Sequence, residues 1–474
     1  MKICRRELIL PGVTGVAAVL AIAIWLRTGP PFAIELRRPG MDRSPDVPAA
    51  GVTGTKPQPA VAAGKPTRGE GTPSELSGAW PGFRGPHRDA ICDDGVRLAR
   101  SWPPGGPPVL WRITLGEGYA GAAIYGGCVY VLDYDEAAQA DTMRCLSLDD
   151  GREVWRNSYP VAVTRNHGIS RTVPCVVEDS VISIGPRCHV ACWDARSGEC
   201  RWLMDLVREH GAREPRWYTG QCPLVDQGRL VLAPCGDAML MAVDYKSGEV
   251  IWRSPNPRRW EMTHVSVMPM DFAGRRMYVY CGSGGVAGIA AEDGALLWET
   301  VEWPVQFAHA PSPLPLPGGR IFLCSGYGND TGAMILQLSE AGDKFAVKVA
   351  ARLTPKQFNA EQQTPILYQG CLIGARKRGG GQLVCLDMEG KELWNSGSDR
   401  FGHGPFVIAD GLIFALESGG RLVVAEASIT EYKRLAEFQV FENGTDAWGP
   451  IAVASGRLVV RDMTRMACLD VSAR

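Results

Sequence analysis

The chain has 474 residues and a nearly balanced charge, with 50 Lys and Arg against 51 Asp and Glu. This balance gives no electrostatic reason to expect nucleic acid or an anionic surface as a partner. The 56 glycines and 34 prolines favour an all-β protein with many turns. The 15 cysteines are an odd number, so at least one of them is unpaired within a monomer.

Residues 1–27 differ in composition from the rest of the chain. Three basic residues precede an almost uninterrupted apolar run over residues 8–26, whose helical length of roughly 28 Å is close to the ~30 Å hydrocarbon core of a bilayer. Arg27 and a Gly-Pro-Pro sequence follow the run, where a cleavage site would need small residues. This pattern predicts an uncleaved signal anchor that forms one transmembrane helix, with a cleaved signal peptide as the alternative.

The orientation of this anchor is not fixed by charge. Basic residues occur on both sides of the apolar run, so the positive-inside rule gives close to a tie. A leading anchor before a large domain favours export of that domain. We therefore expect a single-pass membrane protein whose body lies outside the cytoplasm, in a periplasmic or other extracytoplasmic space.

Residues 28–78 are rich in Pro and Gly and contain no aromatic side chain after Phe32. They follow neither the period of a strand nor that of a helix. Such a composition cannot bury enough apolar surface to fold, so it predicts a disordered linker with a reach of about 40 Å. The linker would tether the folded body, residues 79–474, to the membrane.

One sequence unit recurs through the body and ends in Asp, a few residues, Gly, three residues and Trp. Its copies are LDDGREVW (148–155), WDARSGECRW (193–202), VDYKSGEVIW (243–252), AAEDGALLW (290–298), LDMEGKELW (386–394) and the weaker LSEAGDKF (338–345), with Phe345 in the Trp position. Pairs of short apolar runs with period 2, joined by Gly turns, accompany these copies and recur eight times between residues 120 and 462. Such runs predict β-hairpins.

About two hairpins in each unit of roughly 46 residues make a four-stranded antiparallel blade, so the array predicts an eight-bladed β-propeller. VLWRITL (109–115) has the Trp without a preceding motif, whereas MACLDVSAR (466–474) has the Asp without a Trp. The N-terminal strand is therefore expected to complete the last blade, which closes the ring and removes its exposed edges.

The repeated corner resembles that of the pyrroloquinoline-quinone-like (PQQ-like) β-propeller repeat family. This family includes quinoprotein alcohol dehydrogenases and the outer-membrane-protein assembly lipoprotein of the barrel assembly machinery. The segments WPGFRGPHRDAI (80–91) and WPPGGPPVLWRITLGEGYAG (102–121) are similar to the start of a membrane-anchored or secreted bacterial subgroup. The resemblance implies that each repeated Trp docks on the Gly corner of a neighbouring blade. The residues expected to do so are Trp111, Trp155, Trp202, Trp252, Trp298 and Trp394.

The quinoprotein enzymes of this family imply a vicinal disulfide, a stacking Trp, a Ca²⁺ ion held by acidic and amide side chains, and a base Asp. This sequence has neither a Cys-Cys pair nor a c-type haem motif, and none of those site residues can be transferred to it. We therefore expect no catalytic residue, no metal and no cofactor, PQQ and Ca²⁺ included. A PQQ-dependent or related oxidoreductase that uses the central funnel is the alternative.

Four cysteines share one position of the repeat. Cys192, Cys385 and Cys468 each stand two residues before the repeat Asp, and Cys145 takes the same place when aligned on the following Gly. A recurring position of this kind predicts a small buried side chain in a strand. In the sequence C-H-x-x-C at 188–192, the two cysteines of a strand would face one side and the histidine the other, which does not favour a zinc site.

Polar and aromatic side chains stand just before the first apolar run of each unit. In a propeller this segment leads into the innermost strand, so these side chains should gather around one mouth of the central channel. The set consists of Tyr119, His167, Arg171, Trp217, Tyr218, Gln221, His264, His309, Gln362, Gln363, His403 and Trp448.

Two interpretations of this set remain open. The side chains either satisfy loop carbonyls and cover the mouth, or form a funnel that binds a small molecule, a glycan or a peptide segment. A funnel lined by His would bind its ligand in a pH-dependent way between about pH 5 and 7.

The sequence as a whole predicts a membrane-tethered, non-catalytic β-propeller that acts as a protein-interaction or ligand-binding scaffold outside the cytoplasm. The broad outer faces of a propeller suit protein partners.

Overall fold

A computed structural model describes residues 61–304, 308–327 and 331–473, together with Leu20. The chain divides into residues 1–60 and a compact unit, Val61–Arg474. The predicted signal anchor, apart from Leu20, and the first part of the predicted linker lie outside the described residues. Within the described part of the chain, no helix has the length and hydropathy needed to cross a membrane.

Eight antiparallel blades of four strands follow one another along the chain and form an eight-bladed β-propeller, as the repeat predicts. Three strands precede the first blade: β1 (Thr67–Arg68), β2 (Ile91–Cys92) and β3 (Val109–Thr114).

Blades 1 to 4 are built in chain order from the innermost strand outwards. Their strands are β4 (Ala123–Tyr125), β5 (Cys128–Asp135), β6 (Ala140–Ser147) and β7 (Glu153–Pro160); β8 (Cys175–Val177), β9 (Ser180–Ile184), β10 (His189–Asp194) and β11 (Cys200–Asp205); β12 (Leu224–Asp226), β13 (Arg229–Leu232), β14 (Met241–Asp244) and β15 (Val250–Arg253); β16 (Met268–Phe272), β17 (Arg275–Gly282), β18 (Gly285–Ala290) and β19 (Leu296–Thr300).

Blades 5 to 8 continue the same order. Their strands are β20 (Leu314–Leu316), β21 (Arg320–Ser325), β22 (Gly332–Ala341) and β23 (Lys344–Leu353); β24 (Ile366–Tyr368), β25 (Cys371–Arg376), β26 (Gln382–Leu386) and β27 (Glu392–Asn395); β28 (Phe406–Ala409), β29 (Leu412–Leu416), β30 (Arg421–Glu426) and β31 (Arg434–Gln439); β32 (Ala452–Ala454), β33 (Arg457–Arg461) and β34 (Arg465–Asp470). The short helical segments are α1 (Leu206–His210), a 3₁₀ turn over Pro317–Gly319 and α2 (Arg378–Gly381).

The last blade is completed by the N-terminal strand. Strand β3 pairs antiparallel with β34, so the outermost strand of blade 8 comes from the beginning of the body and its other three strands from the end. This is the closure that the unpaired Trp and Asp halves of the repeat predict. It joins the two ends of the ring by backbone hydrogen bonds instead of leaving a free strand edge there.

Residues 61–78 differ from the predicted linker, because they are folded along the outside of blade 1. Strand β1 pairs antiparallel with the outer strand β7, and the amide of Gly71 donates to the carbonyl of Glu153 at 2.9 Å. Ser74 then donates to Asp149, and the amide of Gly78 donates to Ser455 Oγ at 2.9 Å. The compact unit therefore begins at Val61 instead of residue 79, because an exposed strand edge can pair with a segment that has no core of its own.

The Asp and Gly of each repeat build the turn between the two outer strands of a blade. The carboxylate of Asp194 accepts hydrogen bonds from the amides of Arg196 and Ser197, which closes an Asx turn. Gly198 follows with φ of 76°, a conformation that glycine adopts without strain. The ring of Trp155 covers this glycine, since an added Cβ would lie 2.6 Å from its Cδ2 atom. Its indole N–H also donates to the Ala195 carbonyl at 2.9 Å.

Five of the six expected docking residues donate the indole N–H to a carbonyl of the next blade. The pairs are Trp111 with Leu148, Trp155 with Ala195, Trp202 with Tyr245, Trp252 with Ala291 and Trp394 with Ser428.

Trp298 is the exception, and its expected docking on blade 5 is wrong. Its ring folds over Gly288 of its own blade, and its Nε1 lies 3.3 Å from Met277 Sδ. The reason is the long outer hairpin of blade 5, which carries its corner glycine, Gly342, into open space. In the strand register of blade 5, the position that Trp occupies in other blades is taken by Ala351, and not by Phe345.

The four cysteines of the recurring position are fully buried, each directly opposite a docking tryptophan. The pairs are Cys145 with Trp155, Cys192 with Trp202, Cys385 with Trp394 and Cys468 with Trp111. A small side chain leaves room there for the strand bulge beside the indole ring. The fourteen described cysteines are all free thiols.

Candidate functional site

A cavity of about 480 Å³ lies at the centre of the ring, where the chain leads into the innermost strand of each blade. Nine of the twelve predicted side chains line it, and they come from seven of the eight blades. They are Tyr119, His167, Arg171, Trp217, His264, Gln362, Gln363, His403 and Trp448. Blade 5 contributes Ala308, Ala310 and Tyr327 instead.

The other three predicted side chains hold the loops around the cavity without lining it. The Tyr218 hydroxyl donates to the Thr164 carbonyl. Gln221 is fully buried and binds both the amide and the carbonyl of Ala233 through its side-chain amide. His309 Nε2 lies 3.0 Å from the Cys324 carbonyl oxygen. These three positions therefore follow the first interpretation of the set, in which such groups satisfy backbone atoms.

One side of the cavity is a continuous wall of rings. Tyr119 stacks on Trp448 with ring centroids 5.1 Å apart, and Trp448 meets the edge of His403 at 4.8 Å. His403 in turn stacks on Tyr327 at 6.4 Å. Tyr327 was not predicted, because it follows β21 instead of preceding an innermost strand. Such a wall presents a large apolar face with polar atoms at its edges.

Arg171 and His264 carry buried nitrogen atoms without a hydrogen-bond partner among the described residues: Nε of Arg171 and Nε2 of His264. The Arg171 guanidinium lies over the Tyr119 ring, 5.3 Å from its centroid, and donates to the Asn166 carbonyl at 3.1 Å. Burial lowers the pKa of Arg171, and the groups that act on its charge are the hydroxyls of tyrosines, not carboxylates. A buried polar nitrogen without a partner carries a desolvation cost that a hydrogen bond to a ligand would remove.

The pH expectation needs correction for His264. Burial, reinforced by the positive charge of Arg171, lowers the pKa of His264 to about 4. Its imidazole is therefore neutral throughout the range from pH 5 to 7 and cannot by itself make binding pH-dependent there.

His403 is fixed by a charged neighbour behind the cavity wall. Its Nδ1 lies 3.0 Å from Glu361 Oε2, and the other carboxylate oxygen lies 2.9 Å from Lys377 Nζ. Burial opposes ionisation of Glu361, but the hydrogen bonds from His403 and Lys377 outweigh it and lower the pKa of the carboxyl. The pair holds the His403 ring against Trp448.

The floor of the cavity is formed by the segment that opens the body. Trp80 exchanges two backbone hydrogen bonds with Ile124 on blade 1, at 2.8 and 2.9 Å, and β2 pairs in parallel with β28 on blade 7. Between them, Arg84 donates to the carbonyls of Thr364 and Pro365 on blade 6, at 2.8 and 2.9 Å. Trp80, Phe83 and Arg84 line the cavity. The segment thus crosses the ring and contributes lining residues that the repeat pattern does not predict.

A series of hydrogen bonds joins neighbouring blades beside the cavity. The amides of Val173, Cys222, Ser266 and Ser312 donate in turn to Cys222 Sγ, Ser266 Oγ, Ser312 Oγ and Thr364 Oγ1, at 3.3, 3.0, 3.2 and 2.8 Å. A small Cys, Ser or Thr just before each of these innermost strands is the sequence signal that could have revealed this series. It fixes the spacing of blades 2 to 6 around the site.

The lining residues do not fit a calcium-bound quinone. Calcium takes six to eight oxygen ligands, usually with carboxylates among them. The described residues that line the cavity include neither Asp nor Glu. The arrangement is instead suited to hold a small organic molecule between an aromatic wall and a few polar groups.

Comparisons with known proteins agree with this fold. The profile of the family described as outer membrane protein assembly factor BamB matches residues 139–334. The crystal structure of BamB from Moraxella catarrhalis aligns with a TM-score of 0.50 at 12% identity, over 77% of this chain and 99% of that chain. The computationally designed Ika8 protein aligns with a TM-score of 0.50 at 10% identity, over 77% of this chain and 100% of that chain.

Quinohemoprotein alcohol dehydrogenase from Comamonas testosteroni aligns with a TM-score of 0.43 at 14% identity, over 84% of this chain and 81% of that chain. No curated protein sequence matches the chain. The recurring Asp–Gly–Trp corner, the eight-bladed ring and the profile match over residues 139–334 make this chain similar to the PQQ-like β-propellers.

Proposed function

We propose that the protein is a non-catalytic β-propeller scaffold, tethered to a membrane by residues 1–27 and exposed outside the cytoplasm, whose central funnel binds a small organic ligand. The observation that carries this proposal is the convergence of polar and aromatic side chains from seven blades on one cavity of about 480 Å³. That volume lies in the range of small-molecule sites, which combine apolar walls with a few polar groups.

Protein partners are proposed for the outer surface of the ring. The profile that matches residues 139–334 is named for a membrane-protein assembly factor, which supports a role in protein interaction. The alternative, a PQQ-dependent oxidoreductase in the same funnel, would need calcium ligands that the described lining residues do not supply.

The funnel can be tested by thermal shift of the full chain in detergent against a library of aromatic fragments. A fragment at about 100 times its Kd stabilises the folded state by about 2.7 kcal/mol, a rise of about 2–4 °C in Tm for a domain of this size. Trp448→Ala, in the aromatic wall, should abolish the shift.

Trp394→Ala is the matched control. Trp394 docks on Ser428 outside the cavity, so its loss should lower the Tm of the protein without removing the shift. The proposal fails if no fragment shifts the wild type, or if Trp448→Ala responds as the wild type does. PQQ with Ca²⁺ is included in the library, and a saturable shift with that pair would favour the oxidoreductase.

A further inference from the structure

This inference rests on the proposed function and names the chemistry of the ligand. We propose that the funnel selects a small organic anion with an aromatic body, whose acid group is bound by Arg171 and His264.

Buried positive charge lies beside the cavity. Arg84 is buried at the floor, and all the hydrogen bonds of its guanidinium go to backbone carbonyls. Arg461 is also buried and likewise bonds only to carbonyls, among them that of Ala120 at 3.1 Å. Burial lowers the pKa of each to about 10, so both remain charged at neutral pH. Asp89 acts on the charge of Arg84, and Asp133 and Asp462 act on that of Arg461, but none of them forms an ion pair with these guanidinium groups among the described residues. Of the two, Arg84 lines the cavity, and its buried charge favours an anion in the adjacent space.

Two buried nitrogen atoms of lining residues lack a hydrogen-bond partner among the described residues. Arg171 is held over Tyr119 and retains a buried Nε without a described partner. His264 presents a buried Nε2 that also lacks one, and its ring lies beside Trp217 with centroids 6.3 Å apart. A carboxylate can accept a hydrogen bond from Arg171 Nε and, in the tautomer that protonates Nε2, one from His264. The bond to the charged arginine is about twice as strong as a neutral one.

The wall next to Arg171 is formed by stacked aromatic rings. The Tyr119 and Trp448 rings form a stacked surface next to Arg171, so a ligand whose acid group contacts Arg171 would lay its body against this surface. Aromatic bodies gain most from such a face. A single acid group on a flat apolar body therefore matches both halves of the cavity.

The test compares two probes of nearly equal shape, indole-3-acetate and indole-3-acetamide, by saturation-transfer NMR and titration calorimetry on the full chain. The acetate is expected to bind with a Kd below about 1 mM and the amide at least about tenfold more weakly. Arg171→Gln should weaken the acetate about tenfold and leave the amide unchanged.

Arg165→Gln is the matched control, because Arg165 is an exposed arginine of the same segment that pairs with Glu117. It should leave both affinities unchanged. If Arg171→Gln does not fold, the anion inference is still tested by His264→Asn and by the ratio of the affinities of the wild type for the acetate and the amide.

Equal affinities of the two probes would overturn the anion inference while leaving the funnel as a ligand site. Binding of neither probe would overturn it as well, and the fragment screen would then judge the proposed function separately. A tenfold preference that survives in Arg171→Gln and in His264→Asn would contradict the assignment to these two residues.

Discussion

At the scale of single residues, Asp141 is a buried carboxyl that forms no ion pair among the described residues. It lies on β6 opposite Tyr159 on β7, and it is fully buried. The Tyr159 hydroxyl faces its carboxylate and only partly offsets the effect of burial on the pKa. Burial raises the pKa of Asp141 to about 7, so the protein folds most favourably with this carboxyl protonated.

Asp141→Asn is expected to gain stability relative to the wild type as pH rises. In the unfolded chain the carboxyl ionises near pH 4, whereas in the folded protein it does so only near pH 7. The stability that Asp141 contributes is therefore complete below pH 4 and falls by up to about 4 kcal/mol between pH 4 and 7. Urea denaturation of both proteins at pH 5 and 8 measures the difference.

Asp226→Asn is the control with the opposite sign. Burial opposes ionisation of Asp226, but its hydrogen bonds from Arg276 and Tyr278 outweigh it and lower the pKa. Its contribution is present above the unfolded pKa and is lost as pH falls, so Asp226→Asn should cost more at pH 8 than at low pH. A stability difference for Asp141→Asn that does not change with pH would contradict the account.

At the scale of elements, the docking tryptophan is a contact that recurs between blades, with five indole N–H groups donating to a carbonyl of the next blade. Trp155 donates its indole N–H to Ala195 at 2.9 Å, whereas Nε1 of Trp298 faces only Met277 Sδ at 3.3 Å. Both rings are buried. Comparing the two residues therefore separates two contributions to the free energy of unfolding: that of the hydrogen bond between blades and that of burying the indole ring.

Trp155→Phe should lower the free energy of unfolding by about 1–3 kcal/mol, because it leaves the Ala195 carbonyl without its donor. Trp298→Phe should cost clearly less, since a thioether sulfur is a weak acceptor. Urea denaturation of the two variants under the same conditions makes the comparison. Equal losses, or a larger loss for Trp298→Phe, would show that the bond to the neighbouring blade contributes little.

Much of this arrangement could be predicted because the same local sequence pattern recurs in most blades. The Asp–Gly turn and the alternating runs specify hairpins locally, and the split Trp and Asp halves at 109–115 and 466–474 specify the closing pair. Trp298 could not be predicted in the same way. Its partner depends on the length of the β22–β23 hairpin, which no local pattern beside Trp298 encodes.

The site was predictable to the same degree and for the same reason. Residues that lead into the innermost strands must converge in a ring, so nine of the twelve selected side chains line the cavity. Trp80, Phe83 and Arg84 were missed because they lie outside the repeat and reach the cavity only by crossing the ring. The fold of residues 61–78 along β7 was missed because pairing on a strand edge needs no apolar pattern of its own.

At the scale of the whole molecule, the ring and the segment across it form the cavity together. Side chains from the blades form the walls of the cavity. The segment that contains Arg84 runs from blade 1 to blades 6 and 7 and forms its floor. The same segment continues into β3, which closes blade 8. The N-terminal part of the body thus both closes the ring and supplies the floor of the proposed ligand site.

The central claim is that this cavity holds an organic ligand. The most direct measurement is equilibrium dialysis of the full chain against a metabolite extract, with bound compounds identified by mass spectrometry and compared with the double variant Arg171→Gln/Trp448→Ala. The account predicts that the wild type enriches aromatic anions and that the variant, still folded by circular dichroism, does not. Identical profiles for the two proteins would contradict it.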